Sequence, residues 1–278
     1  MIKSVCLVHP QSVDLLKKSA FRTKNADCYR IACGTTRPKT KWIDFYESAD
    51  FSPSYASWNS CLFETSVILT CWEHADDLFG NNDVAFIHSD VELNKTPGET
   101  WKRINSWLRE DPDRSVGLTA PLTAVGFWDG WVIPSDYPMT IEQDPFYKHS
   151  FGNKINVWDY IKKYEYDLWE YGMDVKPKMI YSHQFACTRK TFDYLGNELY
   201  NVVQKLRLGD VGLWTPHMFE RIIALLLAKH GGEPILSTAF WHHASSAAAG
   251  PGDHNLYGPR AFKYYKICTR ANAGSFAL

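Results

Sequence analysis

The chain has 278 residues, enough for one large domain or two small ones. Lys and Arg total 30 against 31 Asp and Glu, a net charge of -1, which argues against a general nucleic-acid or polybasic membrane partner. With 45% hydrophobic and 22% charged residues it is neither disordered nor collagen-like. Its unusual feature is 15% aromatic content, including 11 Trp, which suits flat, amphipathic ligands such as sugars as well as a large core.

Seven cysteines, Cys6, Cys28, Cys33, Cys61, Cys71, Cys187 and Cys268, form no CxxC pair and are odd in number. A zinc ribbon or disulfide framework is not expected, and buried reduced thiols in a cytoplasmic protein are. The N-terminal residues lead into a strand with no apolar signal region. The longest apolar run, Ile222 to Ala228, falls far short of the ~20 residues of a membrane span, so a soluble chain is expected.

In chain order, Ser4–His9 reads as a buried strand and Ser12–Ala20 as a helix capped by Ser12. Tyr29–Cys33 is a second strand, ended by Gly34 and Pro38. Ser48–Trp58 reads as loop. Asn59 opens a helix to about Leu78, stopped at Gly80-Asn81-Asn82-Asp83. Val84–His88 is a third strand, Thr100–Arg109 an amphipathic helix and Ser115–Leu118 a fourth strand. This alternation predicts an α/β fold with a mostly parallel central sheet flanked by helices. Residues 121–178, rich in Trp, Tyr, Pro and Asp, read as a long insertion with a helix near Tyr160–Tyr171. Met179–Thr188 returns as a strand. Lys190–Leu206 is a helix expected to break near Gly196. Thr215-Pro216 starts a helix to Lys229, and Ile235–Trp241 is the last strand. The tail from Ala244, small-residue and Gly/Pro-rich and then basic, is expected to be mobile.

Three segments offer chemistry. Phe86-Ile87-His88-Ser89-Asp90-Val91-Glu92 runs an apolar strand out into two carboxylates, at the end of a strand where open α/β sheets bind ligands. Two hard oxygens there suit Mn²⁺ or Mg²⁺ bridging to a diphosphate. Trp241-His242-His243 offers imidazole as a third ligand, followed by Arg260, Lys263 and Lys266 as phosphate partners on a flexible tail. Gly209-Asp210-Val211-Gly212 sets an acid in a loop before a helix that carries Glu220 beside Arg221, and either carboxylate is a candidate proton acceptor. Ordinary structural roles compete in each case: a helix-capping turn, an exposed His pair, an ion pair at Glu220. No GxGxxG, Walker A, GxSxG or HExxH motif occurs.

Strand, helix, Asn59…Glu64-Thr65, a Trp-bearing helix and then Phe86–Glu92 resemble the nucleotide-sugar half of GT-A glycosyltransferases. Phe185-Ala186-Cys187-Thr188-Arg189-Lys190-Thr191-Phe192 and Phe219-Glu220-Arg221 resemble the acceptor half of small capsular-type transferases. The whole chain is similar to chlorovirus-encoded glycosyltransferases, of the xylosyltransferase kind. The resemblance implies a single GT-A-like domain over 1–278, with residues 1–120 holding the nucleotide sugar and 121–278 the acceptor. It aligns Asp90-Val91-Glu92 with the family's metal-binding acidic motif, with Glu in place of the last Asp, and His242 or His243 with a late ligand. It places His9, and with it Asn59, on the nucleoside side, and Asp210 or Glu220 where an inverting enzyme keeps its base. The implied partners are a UDP-sugar, with xylose a candidate, and an oligosaccharide or glycoprotein glycan, in the host cytoplasm if the chain is viral. Two rival classes are a metal-dependent phosphoesterase and a non-catalytic carbohydrate-binding protein.

Overall fold

The computed structural model describes residues 1–10, 13–16, 27–89, 91–93, 97–118, 127–128, 131–132, 140–144, 147, 156–179, 183–206, 215–236 and 240–242. The elements are β1 (Ile2–Val8), α1 (Val13–Leu16), β2 (Cys28–Ala32), β3 (Phe45–Tyr46), α2 (Glu47–Asp50), α3 (Asn59–Leu62), α4 (Glu64–Glu73), α5 (Ala75–Phe79), β4 (Asp83–His88) and β5 (Val91–Leu93). There follow α6 (Pro97–Glu110), β6 (Ser115–Gly117), β7 (Phe127–Trp128), β8 (Trp131–Val132), α7 (Val157–Tyr164), α8 (Tyr166–Val175), β9 (Phe185–Cys187), α9 (Arg189–Lys205), α10 (Thr215–Gly231), β10 (Ile235–Leu236) and β11 (Phe240–His242).

The central sheet has seven strands in the order β10-β6-β9-β4-β1-β2-β3. All its pairs are parallel except those of β9, which runs antiparallel to both β4 and β6. The fold class expected from the sequence, α/β with a mostly parallel central sheet flanked by helices, is the one the chain adopts. β1 is nearly all buried, as a strand covered on both faces must be. Its alternation divides the core in two. Val5 and Leu7, with Val84 and Phe86 of β4 and Phe185 and Cys187 of β9, join the core under α4, α9 and α10. Cys6 and Val8, with Ala85, Ile87 and Ala186, join the core under α6, which contributes Ile104 and Leu108.

From β1 the chain steps outward through β2 to β3, then returns to lay β4 on the other side of β1. The reversal makes a crevice beyond the carboxyl ends of β1 and β4, where doubly wound sheets hold ligands.

Several local expectations are revised. The helix expected over Asn59–Leu78 is three helices. Phe63, at φ 48°, separates α3 from α4, and His74 separates α4 from α5. The break at Phe63 makes Glu64 the first residue of a new helix. The Ser48–Trp58 loop contains a short helix and a 3₁₀ turn, Ala56–Trp58. The helix expected over Tyr160–Tyr171 is two, meeting at Glu165. Among the described residues of Met179–Thr188, the strand is Phe185–Cys187. The last strand is divided between two sheets: β10 edges the main sheet beside β6, and β11 pairs with β5 in a separate two-stranded ladder. Residues 244–278, including the tail expected to be mobile, lie outside the described residues.

Helix α9 is unbroken. Gly196 is there for space, not for a break. A Cβ at this position would sit 2.1 Å from Cγ of Trp72 on α4, so the absent side chain is what lets the indole lie against the helix. Six cysteines among the described residues are free and buried, and among those residues no helix is long and apolar enough to cross a membrane. Gly196→Ala is expected to destabilise the chain by ~1–3 kcal/mol through overpacking, read as a lower midpoint in urea denaturation. An unchanged midpoint would show that Trp72 moves aside freely.

Candidate functional site

The alternation that sorts β1, β4 and β9 between the two cores also aims their ends. Val5 and Leu7 lead to His9, Val84 and Phe86 to His88, and Cys187 and Phe185 back to His183, all toward the α4 face. Glu64 begins α4 on that face, where a carboxylate also meets the positive end of the helix dipole. The four side chains meet. His9 Nε2 lies 2.6 Å from Glu64 Oε1. His88 Nε2 is 3.6 Å from the same oxygen, and His183 Nδ1 is 3.5 Å from Oε2. His183 Nε2 is 2.9 Å from the Thr65 hydroxyl, and the His88 backbone N–H donates to Gln184 Oε1 at 3.3 Å. His183 is buried, whereas the His9 and His88 side chains are partly exposed.

Burial pushes the Glu64 carboxyl up, but the charges of His9 and His88, the His9 hydrogen bond and His183 outweigh it and hold it well below the usual carboxylate range. Burial pushes the His183 imidazole down, against the pull of Glu64 and Glu220.

Glu220 lies on α10. Its Oε2 is 3.1 Å from His217 Nδ1 and accepts from Arg221 Nη1 at 3.0 Å. Burial raises its pKa, yet the His217 hydrogen bond and the charges of His217 and Arg221 bring it below the ordinary value. Arg221 in turn clamps Asp144 through Nε at 2.8 Å and Nη2 at 3.0 Å. Trp158 Nε1 donates to the same carboxylate at 2.8 Å. This buried network ties the aromatic insertion to α10.

Of the residues predicted from sequence, His9 is in the cluster. Asn59 opens α3, and its amide donates to the Phe63 carbonyl at 2.9 Å and to Ser66 Oγ at 3.0 Å. Glu92 and His242 belong to the β5–β11 ladder, where Glu92 pairs with Trp241 and Val91 with His242. Two segments far apart in sequence are thus joined just past the end of β4. Asp90, Asp210, His243, Arg260, Lys263 and Lys266 lie outside the described residues.

Sequence reasoning missed Glu64 and His183 as site residues and did not single out His88 as a ligand. Glu64 stood in an apolar helix stretch with no acidic partner nearby, and His183 lies 118 residues from its contact Thr65. The available signal was strand parity: each histidine continues the α4-facing set of its strand.

No family model matches the chain, and neither does any curated protein. Among solved structures it is similar to the ligand-free structure of WbbM, described as a bifunctional glycosyltransferase, with 13% identity and a TM-score of 0.49, over 86% of this chain and 45% of that one. The chain spans less than half the length of that protein. At this level of similarity, function is read from the chain's own residues.

A second buried acid lies beneath the crevice. Glu47 accepts from the Gly34 N–H at 2.6 Å, from Ser66 Oγ at 3.1 Å and from Thr70 Oγ1 at 3.2 Å. Gly34 needs its φ of +74°, and Asn59 fills the space where a Cβ would stand. Burial pushes Glu47 up to about 7, against its three hydrogen bonds and the charge of His9; the neighbouring thiols of Cys33 and Cys71 are themselves raised. The folded value lies above the ordinary 4.5, so between those two values the unfolded chain releases a proton that the folded chain keeps. The contribution of Glu47 to stability therefore falls as pH rises through that window. Glu47→Gln is expected to remove this fall, so that the stability difference between wild type and variant changes by up to ~3 kcal/mol from pH 4.5 to pH 8. Urea denaturation at the two pH values measures it; parallel pH slopes would contradict the assignment.

Proposed function

We propose that the chain is a metal-dependent glycosyltransferase that moves a sugar, with xylose a candidate, from a UDP-sugar to a hydroxyl of an acceptor glycan, with inversion. The observation that supports this reading is the β5–β11 ladder, which pairs the segment just after β4 with the Trp241-His242 segment from far along the chain. In this reading Asp90 and Glu92, with His242 or His243, hold Mn²⁺ or Mg²⁺, whose charge offsets that of the departing diphosphate. His9 and Asn59 flank the nucleoside side. Arg260, Lys263 and Lys266 meet the phosphates. The aromatic residues of the insertion present faces to the acceptor sugar.

In the reaction, the acceptor oxygen bonds to the anomeric carbon as the bond from that carbon to the diphosphate oxygen breaks. UDP takes the electron pair and a carboxylate takes the hydroxyl proton. Asp210 ranks ahead of Glu220 for this role. Glu220 already neutralises Arg221 and is hydrogen-bonded to His217, and a carboxylate with a lowered pKa is a weaker base.

The Glu64–His88–His183 cluster favours one second reading, a metal-dependent phosphoesterase, because such enzymes also join carboxylate and imidazole around an ion. Incubation with a panel of UDP-sugars and Mn²⁺ separates the two. Transfer, or slow leakage to water, releases UDP, whereas a phosphoesterase yields UMP and sugar phosphate, and an inert chain leaves only a binding protein. Glu92→Ala is expected to abolish the metal dependence of UDP binding in calorimetry; unchanged dependence would remove this segment from the site. Asp210→Asn is expected to keep donor binding and lose transfer by ~10²–10⁴-fold. Normal transfer by Asp210→Asn with loss in Glu220→Gln would reverse the ranking.

A further inference from the structure

We propose that Glu64, His88 and His183 form a metal centre of their own, separate from the acidic segment after β4, that takes one borderline divalent first-row ion of the Zn²⁺ or Fe²⁺ kind. The inference does not depend on the transferase reading.

The geometry separates this cluster from an ordinary ion pair. His9 lies at true hydrogen-bond distance from Glu64, 2.6 Å. The other two imidazoles do not: their nitrogens stand 3.6 Å and 3.5 Å from the carboxylate oxygens, beyond the usual 2.7–3.2 Å range. These two separations, to the two oxygens of one carboxylate, match the spacing of ligand atoms around a metal ion. Metal–ligand bonds of ~2.1 Å in a tetrahedron set ligand atoms roughly 3.4 Å apart. One ligand atom from each of the three residues lies within 4.8 Å of the others.

The surroundings are those of a supported site. His183 Nε2 is anchored to the Thr65 hydroxyl at 2.9 Å, which turns Nδ1 toward Glu64. His9 holds the carboxylate by Oε1, the oxygen that His88 also faces. Metal-binding imidazoles and carboxylates are commonly held by such outer partners. The three ligands come from a helix start, a strand end and the residue two before a strand, so the fold rather than a flexible loop sets their spacing. His183 is 2% exposed and the His88 side chain 20%, with His88 Nε2 itself buried, so the ligand atoms face a dry interior and solvent reaches only the rest of the His88 side chain. Two imidazoles and one carboxylate select a borderline ion over Mg²⁺ or Ca²⁺, which prefer oxygen alone.

The test uses the full chain after chelator treatment, titrated with Zn²⁺ by calorimetry and with Co²⁺ by visible absorption. One equivalent is expected that persists in Asp90→Asn and Glu92→Gln and is unaffected by millimolar Mg²⁺. His88→Gln and Glu64→Gln should weaken binding by more than the ~10–100-fold that loss of an outer partner costs, and should bleach the Co²⁺ band. Asp90→Asn and Glu92→Gln should leave both unchanged. Circular dichroism identifies variants that fail to fold, and His88, the most exposed side chain of the three, is the variant least exposed to that fate. Absence of stoichiometric binding by the wild type overturns the proposal. So does binding that survives in folded His88→Gln and Glu64→Gln but is lost in Asp90→Asn and Glu92→Gln. Loss in all four means one shared centre and overturns its separateness.

Discussion

The carboxylate of Glu64 is drawn out of water at the head of α4, and the arrangement of the crevice follows from what that requires. A buried carboxylate costs several kcal/mol unless it is matched by hydrogen bonds and opposite charge. Here the match comes from imidazoles at the ends of β1 and β4 and just before β9. Meeting it fixes the height of α4 against three strands at once. It also explains the backbone at Phe63, whose positive φ is a conformation of order 1–3 kcal/mol above the favoured wells. Without that turn, Asn59–Glu73 would run on as one helix, with no free amino end at Glu64.

Two buried acids stand close together on this side of the sheet and titrate in opposite directions. Glu64 is surrounded by imidazoles and stays ionised. Glu47 has hydrogen-bond donors but little positive charge near it, and burial raises its pKa. The difference is burial, which raises Glu47, against nearby opposite charge, which outweighs burial at Glu64. It divides the labour between a charged group facing the crevice and a structural acid that holds the Gly34 turn.

The rims are braced by arginines. Arg30 meets Asp44 with Nε at 2.8 Å and Nη2 at 2.9 Å, tying β2 to the approach of β3. Arg221 makes the same kind of two-point contact with Asp144. The planar guanidinium fork suits such a contact, which fixes orientation as well as distance. The second brace also occupies the neighbourhood of Glu220, which is why an acid that looked free for chemistry in the sequence is engaged in the fold.

The sequence by itself determined the strands and their core. β1, β2, β4 and β6 appear as short apolar runs between turn residues, and the fully buried run of β1 marks a strand covered on both faces. The acidic segment after β4 and the Trp241-His242 segment stood out as candidates in the sequence, and the fold adds that β5 and β11 pair. Other features needed the tertiary structure. The break at Phe63, the continuity of α9 past Gly196 and the division of the last strand between two sheets each depend on a distant partner: the imidazoles around Glu64, the Trp72 ring, and β6 and β5. Local propensity carries no record of those partners. The same reason hid Glu64 and His183. Strand parity tells which face a side chain takes, but only the order of the strands, with β4 laid back against β1 and β9 inserted beside it, decides which faces meet.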